Sequence, residues 1–215
     1  MKILSSECIK KEENALLAAL NASLDSNDIL RKVKEHYGIE LTGTTVLIED
    51  DIVVYNEEIA FKFGYESKVS FSILLNRSGD YAGLKTGNYV LEDWEEKTDS
   101  DENLIKSDDI TKREKEATEA IASALDKNQL RDLIEKEFDL KIYGGLEFLM
   151  GKFVLHDNQV AYRLFFESQF RFYLLINSNG DFITIANNVG FCETAKDLIK
   201  ENSEDLSSTG ISDEV

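Results

Sequence analysis

Proline is absent from all 215 residues, so every turn must be made by Gly, Asn, Asp or Ser. Cysteine is nearly absent: Cys8 and Cys192 stand near opposite ends, outside any CxxC or Cys/His cluster. That excludes a zinc ribbon or thioredoxin-type motif. The spacing leaves a disulfide open, with reduced thiols in a cytoplasmic protein the simpler reading. There are two histidines, His36 and His156. His36 falls late in a helical pattern and His156 at a strand end, so they imply no metal site or catalytic dyad. No apolar run approaches the ~18–20 residues of a membrane span, and the N-terminal apolar run is too short for a signal peptide.

Positive charge is also scarce, with 24 Lys and Arg against 42 Asp and Glu, a formal net of −18. A polyanionic partner, whether nucleic acid or an anionic membrane, is disfavoured. Much of the excess is local. Residues 92–109 hold nine acids and two lysines, and residues 201–215 hold five acids and no base. These stretches read as a solvated linker and tail. The run Asp99-Ser100-Asp101-Glu102-Asn103 resembles a calcium loop, but Leu104 and Ile110 stand where the loop needs Gly and Glu. No P-loop, Rossmann glycine run, GxSxG or HExxH occurs, so no catalytic residue, metal or cofactor is expected.

What the chain does contain is a repetition. Residues 24–84 return as 125–185 at a constant offset of 101, without a gap. Leu24-Asp25 matches Leu125-Asp126, Gly43 matches Gly144, and Glu66-Ser67 matches Glu167-Ser168. Asn76, Gly79 and Asp80 match Asn177, Gly180 and Asp181. The expected organisation is a first α+β module over 9–91, an acidic linker over 92–110, a second module over 111–201, and a disordered acidic tail over 202–215.

Within each copy the period changes. Ile9, Leu16, Leu17, Leu20 and Leu24 recur at helical spacing, and after an Asp-led interruption so do Ile29, Val33 and Tyr37. Asp126, three residues before Gln129, resembles a capping box, and Gly38 and Asp139 are placed to end the second helices. Alternation follows in Ile59, Phe61, Phe63 and Tyr65 and in Val69, Phe71, Ile73 and Leu75. Glu66-Ser67 and Glu167-Ser168 read as hairpin turns between such strands, and Asn76 and Asn177 as side chains bonding backbone around glycine turns. The fold class is α+β, a tandem duplication of a two-layer module. In each, an N-terminal helix pair packs on a four- to five-stranded antiparallel meander. The element order is similar to cystatin-like and secretion-chaperone-like folds, a likeness of fold that implies no function.

One asymmetry bears on function. The outward strand positions of copy one are Ala60, Lys62, Gly64, Ser70, Ser72 and Leu74; those of copy two are Ala161, Arg163, Phe165, Arg171, Tyr173 and Leu175. Arg and aromatics are favoured at interfaces. Arg163, Phe165, Arg171, Tyr173 and Leu175, joined by His156, are therefore the candidate partner-binding face. The expected activity is non-enzymatic binding of a protein, a basic one by charge, as an adaptor, chaperone-like protein or immunity-like inhibitor. The same face could instead pack on module one or form a homodimer. The alternative is a small-molecule or lipid binder with a cavity between helices and sheet or between modules.

Overall fold

The computed structural model describes residues 5–87, 107–157, 159–187 and 193–194. The linker and tail expectations at 92–106 and 202–215 lie outside these residues. Among the described residues, four helices and an open antiparallel sheet make an α+β fold. The helices are α1 (Ser6–Ser23), α2 (Ser26–Tyr37), α3 (Ser107–Ala124) and α4 (Lys127–Phe138). The long strands are β1 (Val46–Tyr55), β2 (Glu58–Asn76), β4 (Ile142–His156) and β5 (Gln159–Asn177). The shorter ones are β3 (Tyr81–Thr86), β6 (Phe182–Ala186) and β7 (Glu193–Thr194). Strand order is β4-β5-β2-β1-β7, with β3 on β2 and β6 on β5. The bounds of α1, α2 and β2 recur 101 residues later in α3, α4 and β5.

Local chemistry sets the element ends. Asp25 accepts from the Asn27 amide, and Asp126 accepts from the amides of Asn128 and Gln129 at 2.9 and 3.2 Å. Free amides of a helix's first turn are thereby satisfied. Gly38 follows α2 at φ +68°, and Asp139 ends α4 in the left-handed region at φ 49°. Asx side chains tolerate that region better than most. Asn76 Oδ1 accepts from the amides of Ser78 and Asp80, and Asn177 Oδ1 from those of Asn179 and Asp181. Gly79 and Gly180, both at φ +88°, complete the two turns.

The structure corrects one reading of the strands. Glu66-Ser67 and Glu167-Ser168 are not hairpin turns; β2 and β5 run straight through them as 19-residue strands. The alternation of 59–65 continues in the same phase through 69–75, which places Ser67 on the inward face between them. Ser67 is buried there and donates its hydroxyl to the Gly43 carbonyl at 3.3 Å. Ser168 is buried likewise and bonds the Tyr143 carbonyl at 2.9 Å. A satisfied hydroxyl can stay in a core face without the cost of an orphaned group.

The described residues fall into two compact units, and each takes one part of β2 and one part of β5. The first unit holds 5–29, 46–66 and the described residues from 172 onward. In it Tyr65 stacks on Phe172 at 5.5 Å and donates to Asn21 Oδ1 at 2.7 Å, tying α1 to the sheet beside buried Leu17. On the opposite strand face Val53, Ala60 and Leu175 pack together, flanked by Tyr55 and Ile183.

The second unit holds 30–45 and 67–171, less the undescribed residues among them. Phe71, Phe166 and Phe170 are fully buried, with Phe138 of α4 against Phe71 and Tyr37 of α2 edge-on to Phe170. Leu74, Val154 and Ala161 cluster on the other face. Helix α3 lies against β4 at Gly151, where a Cβ would stand 2.3 Å from that of Thr118. Farther along, Glu114 of α3 accepts from the Phe153 amide at 2.6 Å. That occupies a donor an edge strand would otherwise present to another chain.

Two phenols carry a pH dependence. Burial, with Asp139 adding, pushes Tyr37 from the ordinary 10.0 to about 12. Burial, with Asp50 adding, does the same for Tyr65. An unfolded chain would ionise both near 10.0 while the folded chain keeps their protons. Their contribution is therefore fully present below that pH and is lost as pH rises through about 12. Denaturant midpoints from about pH 9 to about pH 11.5 should fall more steeply in the wild type than in a Tyr37→Phe/Tyr65→Phe variant. Parallel curves would refute the assignment.

Candidate functional site

The six residues selected from sequence do not form one exposed face. Arg163, Phe165 and Tyr173 are each 3% exposed and Leu175 is 0% exposed. The Arg163 guanidinium lies 4.6 Å from the Phe165 ring centroid. Arg171 is half-buried over the Tyr143 ring at 5.0 Å. His156 is half-buried at the end of β4, its Nε2 3.5 Å from Asp157 Oδ2. The outward face of β5 is thus largely covered within the chain.

Packing gives the difference between the outward faces of β2 and β5 a physical reason. In the first unit Gly64 of β2 faces Tyr173 of β5, and a Cβ on Gly64 would meet Tyr173 Cε1 at 2.9 Å and Glu49 Cγ at 2.7 Å. Beside it Lys62, 5% exposed, pairs with Glu49 at 2.6 Å and holds its ammonium 5.6 Å from the Tyr173 ring centroid. A buried cation needs such a partner. In the second unit the same face of β2 carries small buried Ser70 and Ser72, while the adjacent strand carries bulky Phe165 and Arg163. Small residues on one strand make room for large ones on its neighbour.

A polar cleft of about 350 Å³ opens in the second unit, lined by Lys68, Tyr143, Gly144, Gly145, Glu147 and Glu167 among others. Its floor is a break in the β4–β5 register between Tyr143/Gln169 and Glu147/Glu167, with Gly144 at φ +71°. Four successive carbonyls are tied down there. Arg131 of α4 donates to those of Ile142 and Gly144. Ser168 Oγ lies 2.9 Å from that of Tyr143 and 3.3 Å from that of Gly145. At the mouth Lys68 pairs with Glu167 at 2.5 Å. The hydrogen bond and charge of Glu167, and then Glu147, hold the Lys68 ammonium above its ordinary range. With its lysine in solvent, the pair adds little stability. The arrangement fixes a bulge in β4.

Sequence reading missed this wiring. Two signals were present: Arg131 replaces Leu30 of the first copy, and Gly144-Gly145 replaces Gly43-Thr44. Among the described residues no group of three or more His, Cys, Asp or Glu could hold a metal ion. No described helix is long and apolar enough to cross a membrane.

Apolar side chains do reach solvent at the end of the β4–β5 hairpin. Phe153 pairs with Tyr162 and Leu155 with Val160, so all four share one strand face. Phe153 and Val160 are each 45% exposed, and the Phe153 and Tyr162 rings meet edge-on at 5.5 Å. No protein family, curated protein or solved structure matches this chain.

Proposed function

We propose that the chain is a non-enzymatic protein-binding protein, of the adaptor, dedicated-chaperone or immunity-inhibitor kind, built by tandem duplication of one helix–helix–strand module. The observation that carries this reading is the apolar end of the β4–β5 hairpin, where Phe153 and Val160 stay in solvent beside Leu155 and Tyr162. Aromatic and aliphatic side chains in one exposed group suit a protein contact. The reading keeps partner recognition in the second copy, next to His156, and moves it off the covered strand face. The excess of 42 acids over 24 bases favours a basic partner. Cys8, free and exposed, suits a reducing compartment such as the cytoplasm.

The test begins with a partner captured by the intact chain and then titrated against purified variants. Phe153→Asp and Val160→Asp should each weaken binding about tenfold or more at temperatures where circular dichroism shows the variant fully folded, since both side chains are about half exposed. Variants that bind as the wild type does would overturn the placement. A small molecule retained in native mass spectra of the freshly purified chain would favour the small-molecule or lipid alternative instead.

A further inference from the structure

Helix α1 carries a second apolar surface, in the first unit, apart from the β4–β5 hairpin. Its residues from Ser6 to Leu16 are all exposed, and Leu17 is the first to be buried. Ile9 is 48% and Leu16 46% exposed, two turns apart on one side of the helix. The matching helix α3 behaves differently: Glu114 and Ala117, the counterparts of Glu13 and Leu16, are half-buried where α3 lies on β4. The exposed line of α1 thus holds two apolar side chains, Ile9 and Leu16, left without cover among the described residues.

The charges beside that line select its occupant. At 3.6 residues per turn, Glu12 falls on one side of the Ile9–Leu16 line and Glu13 on the other, while Lys10 and Lys11 fall on the rest of the helix. A second copy of α1 fits badly. Antiparallel pairing of Ile9 with Leu16 would set Glu12 against Glu13 twice over, and parallel pairing would set each acid against itself. Like charges so placed repel. An amphipathic helix whose apolar side is bordered by Lys or Arg would satisfy both the apolar pair and its acids.

We infer that the exposed half of α1 is a docking surface for a basic amphipathic helix of another protein. The inference does not depend on the hairpin contact, which lies in the other unit.

The probe is a synthetic peptide of about 18 residues, with Leu at i, i+3, i+4 and i+7 and Lys at most other positions. A scrambled peptide of identical composition is the control. The peptides are titrated against the full chain by fluorescence anisotropy at low and at physiological salt. The expected result is tighter binding of the patterned peptide than of the scramble. Leu16→Asp should weaken it about tenfold or more, Glu12→Lys/Glu13→Lys should do the same, and added salt should weaken it further. Equal binding of the two peptides would overturn the inference, since charge alone would then explain it. So would unchanged affinity in both variants. A wild-type dimer in sedimentation velocity that Leu16→Asp dissociates would also overturn it, by making a second copy the occupant. Should Leu16→Asp disturb folding, Ile9→Gln tests the same line two turns away. The hairpin variants should bind this peptide as the wild type does, so either proposal can fail alone.

Discussion

Gly151→Ala is expected to destabilise the chain by about 3 kcal/mol, the upper end of the usual overpacking range. The new Cβ would stand 2.3 Å from Thr118 Cβ and 2.8 Å from both Cγ2 and Oγ1. None of these atoms can move aside cheaply. Thr118 is fully buried, and its hydroxyl is bonded to the carbonyls of Glu114 and Lys115 in its own helix. Relief therefore requires α3 to lift from β4, which would also pull Glu114 from the Phe153 amide. At about 2–4 °C per kcal/mol for a chain of this size, the melting temperature should fall by about 6–12 °C. Thr118→Gly costs roughly 0.3–0.5 kcal/mol in helix propensity, yet it should recover much of the loss in the double variant. A Gly151→Ala protein that melts with the wild type would show that α3 is not seated on β4.

Tyr173→Ala should cost about 3–5 kcal/mol, as truncations of buried aromatics do. Its ring is 3% exposed, fills the space that Gly64 leaves, and lies near the Lys62 ammonium. Truncation leaves a void and loosens the surroundings of a buried cation paired with a partly exposed Glu49. Thermal or denaturant unfolding checks this directly. A residue serving a partner would behave in the opposite way, losing affinity at constant melting temperature. A Tyr173→Ala protein of unaltered stability would return the outward face of β5 to the list of binding surfaces.

Tyr173 shows where reading a sequence stops. Alternation assigns it correctly to the face opposite Phe172 and Leu174, but alternation cannot say whether that face meets water. Both faces of these strands are buried, so polar-looking Lys62, Ser70, Ser72 and Arg163 sit inside alongside Phe165 and Leu175. Gly64 against Tyr173 is a size exchange between adjacent strands, and only strand adjacency reveals it. Glu66-Ser67 was misread as a turn for a related reason. A polar pair suggests a loop until the Gly43 carbonyl is seen to receive the Ser67 hydroxyl. The cleft at Lys68 and Glu167 was hidden because its lining comes from β2, β4 and β5, and the Arg131 that bonds its Gly144 carbonyl comes from α4.

Local interactions wrote the rest into the chain. Helical spacing, Asp caps, left-handed helix ends and the glycine turns each act over a few residues, so the helices and turns could be read directly, whereas the strand bounds could not: β1 begins at Val46, before the Ile52 run, and β2 runs unbroken from Glu58 to Asn76. Tertiary structure alone decided which strands lie side by side, which strand faces are covered, and which apolar side chains remain outside. Those outcomes depend on burial between segments distant in sequence, and burial is a property of the assembled layers that no single stretch of residues carries.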